Sequence, residues 1–358
     1  MSTQEGNTTM LNRRQQRLIA GIAVIALGFA ACESGDDDDS SDSGSESGSE
    51  AASEGGATVE EGETIKIAFS APGADHGWLA AITENAEAEA AEHDDVEFVL
   101  LEGTNDSAAQ VSQVEQLMAE DPDALIILPH EGGPLTPVAL EAMEQGIPVI
   151  NVDREFSSEG AYRTWIGGDN YGIGVSAANY LAEQLDCQGN VVEIQGLAGI
   201  SVTEQRTAGF ADTIEQLCGD GITIVAQQPA DFLPDVGLEV METILQAQPE
   251  IDAVYTHDDD MAMGVVSAIE NAGREDEMIL TGAGGSRDAM ERIQEGGLYA
   301  ATFLYNPSMS ASAVRVARLI ALGQGFEELA EPEVPSRIEL PASTVTQENV
   351  DQFIDLGF

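Results

Sequence analysis

From Ile65 onward, short apolar runs alternate with longer amphipathic segments. The runs IKIAFS, VEFVLL, ALIILP and PVINVD are dominated by β-branched and large aliphatic residues, with little polar alternation. Strands covered on both faces read this way. NVVEIQG, ITIVAQQ, AVYTH, MILTGA and YAATFLY repeat the pattern. Between the early runs, residues 79–93, 107–120 and 135–145 place apolar side chains at i, i+3 and i+4, the helical period. Strand–helix alternation predicts an α/β protein with parallel sheets. Nine such strands make a wide single sheet, and the glycine-rich IGGDN, residues 166–170, reads as a break. We therefore expect two doubly wound, Rossmann-like domains facing a cleft; one wide sheet is the alternative.

The first 62 residues follow a different pattern. Arg13, Arg14 and Arg17 precede LIAGIAVIALGFAA, a basic region and an apolar run of the length of an export signal. The run is short for a membrane span. FAAC then sets Cys32 behind two small residues, which resembles the lipobox of bacterial lipoproteins, with Phe29 in place of the usual aliphatic residue. Cleavage without lipid is the alternative. Residues 33–62 are rich in Ser, Gly, Asp and Glu, a composition that stays disordered and serves as a tether. We expect a signal peptide over 1–32, a lipid on Cys32, and a chain exported to the outer face of the cytoplasmic membrane or the periplasm. Cys187 and Cys218 remain, each after an amphipathic helix and before a strand. If those strands are parallel neighbours, the two cysteines meet at one sheet edge and form a structural disulfide.

Charge narrows the partners. The chain has 358 residues, with 13 Lys and Arg against 65 Asp and Glu, a formal charge of −52, and Lys66 is the only lysine. Phosphate backbones repel such a chain, which argues against nucleic-acid binding. We expect an environment of strong salt, where screening over a few ångströms suppresses self-repulsion. Equal melting temperatures in dilute buffer and molar salt would contradict this, and would favour an acidic proteome with no salt requirement.

In open α/β sheets, ligands bind at the carboxyl ends of the strands. Those ends carry Asp75, His76 and Trp78; His130 and Glu131; Asp153 and Arg154. The second half adds Arg206, Phe232, His257, Asp258, the glycine-rich TGAGG, and Tyr305. Trp78 and Phe232 offer flat faces to a sugar ring. Asp153 and Asp258 accept from hydroxyls, and Arg154 and Arg206 donate in a fixed fork. Taken singly, an Asp–Arg pair is a strand-end ion pair and an aromatic is core. THDDD has metal-ligand residue types, but Asp259 and Asp260 open a helix, where carboxylates cap amide groups and favour the dipole, and we expect no metal. GAGG lacks the Lys-Ser/Thr ending of a phosphate loop, and neither G-x-S-x-G nor H-E-x-x-H occurs. No cofactor and no catalysis are expected.

With PVINVDREF, EIQGLAG followed by RTAGF, QPADF and DDMAMG, the chain resembles the ribose/galactose-type periplasmic sugar-binding proteins over nearly all of residues 64–350. These are the substrate-receiving components of ABC importers and have the type I periplasmic-binding fold. The resemblance implies a three-strand hinge, with crossings near Gly168, Tyr305 and Arg337. The lobes are then 63–168 with 306–337, and 169–305 with 338–358. It implies sugar contacts at Asp153, Arg154, Arg206 and Phe232, and near Trp78, with His76 beside it. This chain has Asp258 where the ribose-binding branch has Asn, Gly284 where it has Asp, Tyr305 where it has Gln and Leu128 where it has Asn. Those changes put ribose itself in doubt and bring Asp75, His130, Glu131 and Gly284 in as further candidates. The implied partners are a small sugar or polyol and a membrane permease pair driven by a cytoplasmic ATPase, the binding protein itself acting as a monomer. A sensor feeding a chemoreceptor or kinase is the main alternative. An enzyme using Asp258 and His257 as acid and base is a weaker one. A repressor is weakest, since a leader stands where a helix-turn-helix would be.

Overall fold

The computed structural model describes Val59 and residues 62–101, 103–327, 329–330 and 333–358. The expected leader, the lipid site at Cys32 and the tether, apart from Val59 and Gly62, lie outside the described residues. Among the described residues no helix is long and apolar enough to cross a membrane.

The first sheet grows from alternating strands and helices: β1 (Ile65–Ser70), α1 (Gly77–Ala91), β2 (Val96–Leu100), α2 (Ser107–Met118) and β3 (Ala124–Ile127). It continues through α3 (Gly132–Glu144), β4 (Val149–Val152) and β5 (Thr164–Gly168). The second half runs α4 (Asn170–Gln184), β6 (Gly189–Gln195), α5 (Ser201–Cys218), β7 (Ile222–Pro229), α6 (Pro234–Ala247) and β8 (Ala253–Thr256). Then come α7 (Asp259–Ala272), β9 (Ile279–Gly284), α8 (Arg287–Glu295) and β10 (Tyr299–Leu304). Last are α9 (Met309–Ala321), β11 (Arg337–Leu340) and β12 (Ser343–Thr346). The strands form two six-stranded sheets, ordered β11-β5-β4-β3-β1-β2 and β12-β10-β9-β8-β6-β7. All pairings are parallel except β10 with β12. Each sheet is the centre of one α/β domain.

Strand periodicity divides each core in two. Ile65, Ile67 and Phe69 of β1, with Ala124, Ile126, Ile150 and Val152, face the layer of α1 and α9. Ala68, Leu125, Ile127 and Val149 face the other way, onto Val114, Leu117 and Leu135 of α2 and α3. In the second sheet Val192, Ile194, Val254 and Leu280 meet Met241, Met261 and Val265 of α6 and α7. Val191, Tyr255 and Phe303 pack on Ile173, Ala177 and Phe210 of α4 and α5. Each fully buried side chain of this size contributes about 1.5–3 kcal/mol. Cys187 and Cys218 form a disulfide with Cα atoms 5.0 Å apart, where β6 and β7 lie side by side as parallel neighbours.

Three strands go beyond the nine expected. TWIGG was expected to hold a break, yet β5 is an inner strand between β4 and β11. Its glycines have a packing reason: a Cβ on Gly167 would overlap the Trp165 indole, and one on Gly168 the Tyr305 ring. The chain passes between the sheets after β5, after β10 and after β11. The last passage corrects the boundary placed at Arg337, because Ile338, Glu339 and Leu340 still pair with Ile166, Gly167 and Gly168 of the first sheet. The switch to the second sheet falls between Leu340 and Ser343. After the second passage, α9 is tied back to the first domain by Ser310 Oγ donating to the Ile82 carbonyl at 2.7 Å. Arg315 adds paired bonds to Glu89 at 2.6 and 2.7 Å.

Candidate functional site

The carboxyl ends of both sheets face one cavity, a narrow gap with about 20 Å³ of free space. The first domain lines it with His76, Trp78, Asp153 and Arg154. The second domain supplies Val202, Arg206, Phe232, Asp258, Ala283 and Gly284, and Tyr305 comes from the second crossing. The eight foremost sequence candidates, and Gly284, therefore share one space.

Asp153 follows β4 in the left-handed region, φ 62°, which Asp tolerates better than most residues. Its amide donates to the Ile166 carbonyl at 2.9 Å, and its carbonyl accepts from Trp165 Nε1 at 3.0 Å. This bend turns the carboxylate into the cavity, where the Tyr305 hydroxyl donates to Oδ1. Arg154 Nε stands 3.9 Å from Oδ2, and Arg154 Nη1 donates to the His130 carbonyl at 2.8 Å. Arg154 is buried, yet its Nε has no hydrogen-bond partner. A buried donor without an acceptor costs about 1–3 kcal/mol. That is a reason for a ligand acceptor to be drawn there.

His76 precedes α1, and its Nδ1 lies 2.6 Å from Asp75 Oδ1. Its ring is stacked on Phe232 across the gap, with centroids 6.0 Å apart. Phe232 itself has φ 66° and occupies space that only Gly196 leaves open, since a Cβ there would overlap the ring. Trp78 packs on Tyr305 at 5.4 Å, and its Nε1 donates to the Tyr305 carbonyl at 2.8 Å. Arg206, on α5, donates from Nε to Asn170 Oδ1 at 2.9 Å and from Nη1 to the His257 carbonyl. Its guanidinium lies 4.8 Å from the Tyr305 ring centroid.

The three consecutive aspartates have three separate tasks. Asp258 is the N-cap of α7, accepting from the Met261 amide at 2.9 Å. Asp259 is fully buried and takes the amides of Gly285 and Ser286 at 2.6 and 2.8 Å, with the hydroxyls of Tyr299 and Thr302. Asp260 reaches across the gap, accepting from the Trp78 amide at 3.2 Å. Helix α1 has no side-chain cap of its own. Its N-terminus is thus capped from the other domain. The capping expected of Asp259 within α7 is corrected: that residue braces the β9 and β10 ends instead. Among the described residues no group of three or more His, Cys, Asp or Glu is arranged to hold a metal.

Burial dominates the electrostatics. It raises Asp153, with Arg154 and the Tyr305 hydroxyl pulling back. It lowers Arg154, opposed by Asp153 and Asp75. Asp258 is pushed up to about 7 by burial, against the pull of His76, with Asp260 adding to the rise. For His76 burial favours the neutral ring, but the Asp75 hydrogen bond and the Asp258 charge outweigh it and the net shift is upward. Desolvation likewise acts to raise Asp75, and the bond to His76 outweighs it, so this carboxyl is held low.

Asp75, His130 and Glu131 do not line the cavity. Asp75 stands behind His76 and accepts from Asn105 Nδ2 at 2.7 Å. His130 contributes only its carbonyl, to Arg154, and its ring is lowered by burial and by Arg154. Glu131 is exposed. His257 turns away, its Nε2 lying 2.9 Å from the buried Glu193, so the acid–base pairing with Asp258 is not formed. Val202, Ala283 and Asn170 were missed. The first two are ordinary apolar residues without a signal. Asn170, in GDN at the first crossing, bonds both Arg206 and the Tyr305 hydroxyl.

A two-domain α/β clamp whose strand ends share a polar and aromatic cavity defines a small-molecule binding protein. The profile of the periplasmic binding protein domain matches residues 67–325, and the chain belongs to that family. The family and its relatives are substrate-binding proteins rather than enzymes. The chain is 33% identical to the ribose import binding protein of Bacillus subtilis (strain 168) over 214 residues, 60% of this chain and 68% of the relative. Its structure is similar to an ABC transporter solute-binding protein from Bacillus halodurans C-125 with bound myo-inositol. There the TM-score is 0.76 at 28% identity, covering 83% of this chain and 99% of the other. It is also similar to the fructose-binding periplasmic domain of a hybrid two-component system. That match has TM-score 0.73 and 31% identity, covering 81% of this chain and 93% of the other.

Proposed function

We propose that the protein is the solute-binding component of an ABC importer, capturing a monosaccharide or related polyol between its domains. The observation that carries this reading is the cavity itself. Two carboxylates, two guanidiniums and a histidine converge on it from both domains, with aromatic rings between them and one buried guanidinium donor unpaired. A polyol supplies both the acceptor for Arg154 Nε and the donors for Asp153 and Asp258. Charged hydrogen bonds contribute roughly 1.5–3 kcal/mol each, so four anchors are sufficient for micromolar affinity, about −8 kcal/mol, after ordering costs. The relatives' ribose and myo-inositol ligands fall in the same chemical class.

Delivery to a permease pair with a cytoplasmic ATPase, an anchor through lipid on Cys32, and action as a monomer complete the proposal. A sensor is the second reading, favoured by the similarity to a fructose-binding domain of a two-component system. A thermal-shift panel of pentoses, hexoses, deoxysugars, inositols and sugar acids tests the binding reading. A rise in melting temperature with some of these and recovery of the ligand unchanged are expected; no shift with any of them would sink it. Neighbouring genes for a permease and an ATPase separate import from sensing.

A further inference from the structure

The hinge end of the cavity is closed by an aromatic ring. Tyr305 follows β10, and its backbone is held at both ends: its amide donates to the Gly284 carbonyl at 2.9 Å and its carbonyl accepts from Trp78 Nε1 at 2.8 Å. The hydroxyl donates to Asp153 and accepts from Asn170 Nδ2 at 3.2 Å and from the Gly168 amide at 3.4 Å. A hydroxyl has one donor and two acceptor sites, so all three are taken. The ring lies flat over the first crossing because Gly168 has no Cβ to overlap it. Arg206 and Trp78 pack against the ring.

Two consequences follow. A ligand gains no hydrogen bond from Tyr305, only an apolar wall. Asp153 has one oxygen engaged by Tyr305, which leaves Oδ2 to the ligand. We infer that Tyr305 is the specificity-determining residue of this cleft. Its ring fills the hinge end, so that a pentose is favoured over a hexose carrying an exocyclic hydroxymethyl group toward the hinge. The inference rests on the sugar-binding reading and deepens it. An unpaired hydroxymethyl group against that wall leaves its hydroxyl without a partner, which buried polar groups avoid.

Matched pairs isolate the effect: D-ribose with D-allose, D-xylose with D-glucose, and L-arabinose with D-galactose differ, as pyranoses, only by the hydroxymethyl group. Calorimetry on the wild type is expected to show the pentose of a bound pair at least tenfold tighter. Tyr305→Phe keeps the ring and keeps that ratio. Tyr305→Ala brings the ratio within threefold, chiefly by gain of hexose binding; Tyr305→Leu serves if the alanine variant fails to fold. A tighter hexose in the wild type, or an unchanged ratio in a folded Tyr305→Ala or Tyr305→Leu, overturns the inference. Binding of a cyclitol or sugar acid with none of the six bound also overturns it, while leaving the binding-protein reading intact. No binding of any polyol overturns both.

Discussion

The two domains repeat one architecture but hold their arginines differently. In the first, Arg154 follows a strand end, donates one bond to a carbonyl and keeps Nε unpaired while buried. In the second, Arg206 projects from a helix and is bound through Nε and Nη1 to Asn170 and the His257 carbonyl. The carboxylates differ in the same sense. Asp153 has a strained backbone and an oxygen facing the cavity, whereas Asp258 has a helix to cap. The first domain presents its polar groups incompletely satisfied. The second presents groups that its own fold already requires.

Substitution of the two arginines sharpens this contrast. Arg154→Ala is expected to weaken sugar binding by about 100-fold or more, since it removes charged hydrogen bonds worth roughly 1.5–3 kcal/mol each. The melt of the empty protein should stay within a few degrees. Arg206→Ala is expected to lose binding and also stability, by about 2–3 kcal/mol, because Asn170 and a buried carbonyl lose their partner. Calorimetry and a thermal melt on both variants check the pair. An unchanged melt for Arg206→Ala would erase the distinction.

A smaller effect is expected at the contact between the domains. Asp260 of α7 caps α1 from across the gap, and such caps contribute about 1 kcal/mol. Asp260→Ala should shift the empty protein toward an open form, seen as a larger radius of gyration by small-angle scattering, and lower affinity roughly fivefold. An identical scattering profile would mean that the cap does not bias closure.

A further effect concerns pH. The Asp258 carboxyl, raised to about 7 by burial, binds protons more tightly folded than unfolded. Its contribution to stability is therefore fully present below its ordinary value near 4 and is lost as pH rises through about 7. Asp258→Asn keeps a capping side chain and removes the titration. Melts between pH 4 and 8 should fall less steeply for the variant than for the wild type; parallel curves would contradict the placement of that carboxylate.

The strands that were legible in sequence were those with uninterrupted β-branched runs, such as PVINVD. TWIGG was not, because its glycines read as a turn while their real constraint is the bulk of Trp165 and Tyr305 packed against them. The candidate site was legible because its chemistry sits at strand ends, where charge stands out against apolar runs. What sequence did not reveal were relations between distant segments. Asp260 looked like a local helix cap, and Asn170 looked like part of a linker. The direction of His257, onto Glu193 and away from the cavity, likewise depends on a buried partner 64 positions earlier.

Central to the proposal is one polyol held in the cavity between the two sheets through Arg154. Calorimetric titration of the purified full chain with the ligands found in the thermal-shift panel is the decisive test. One ligand per chain is expected, at micromolar or tighter affinity, lost in Arg154→Ala. Equal affinity in that variant, or binding at some other stoichiometry, would contradict it.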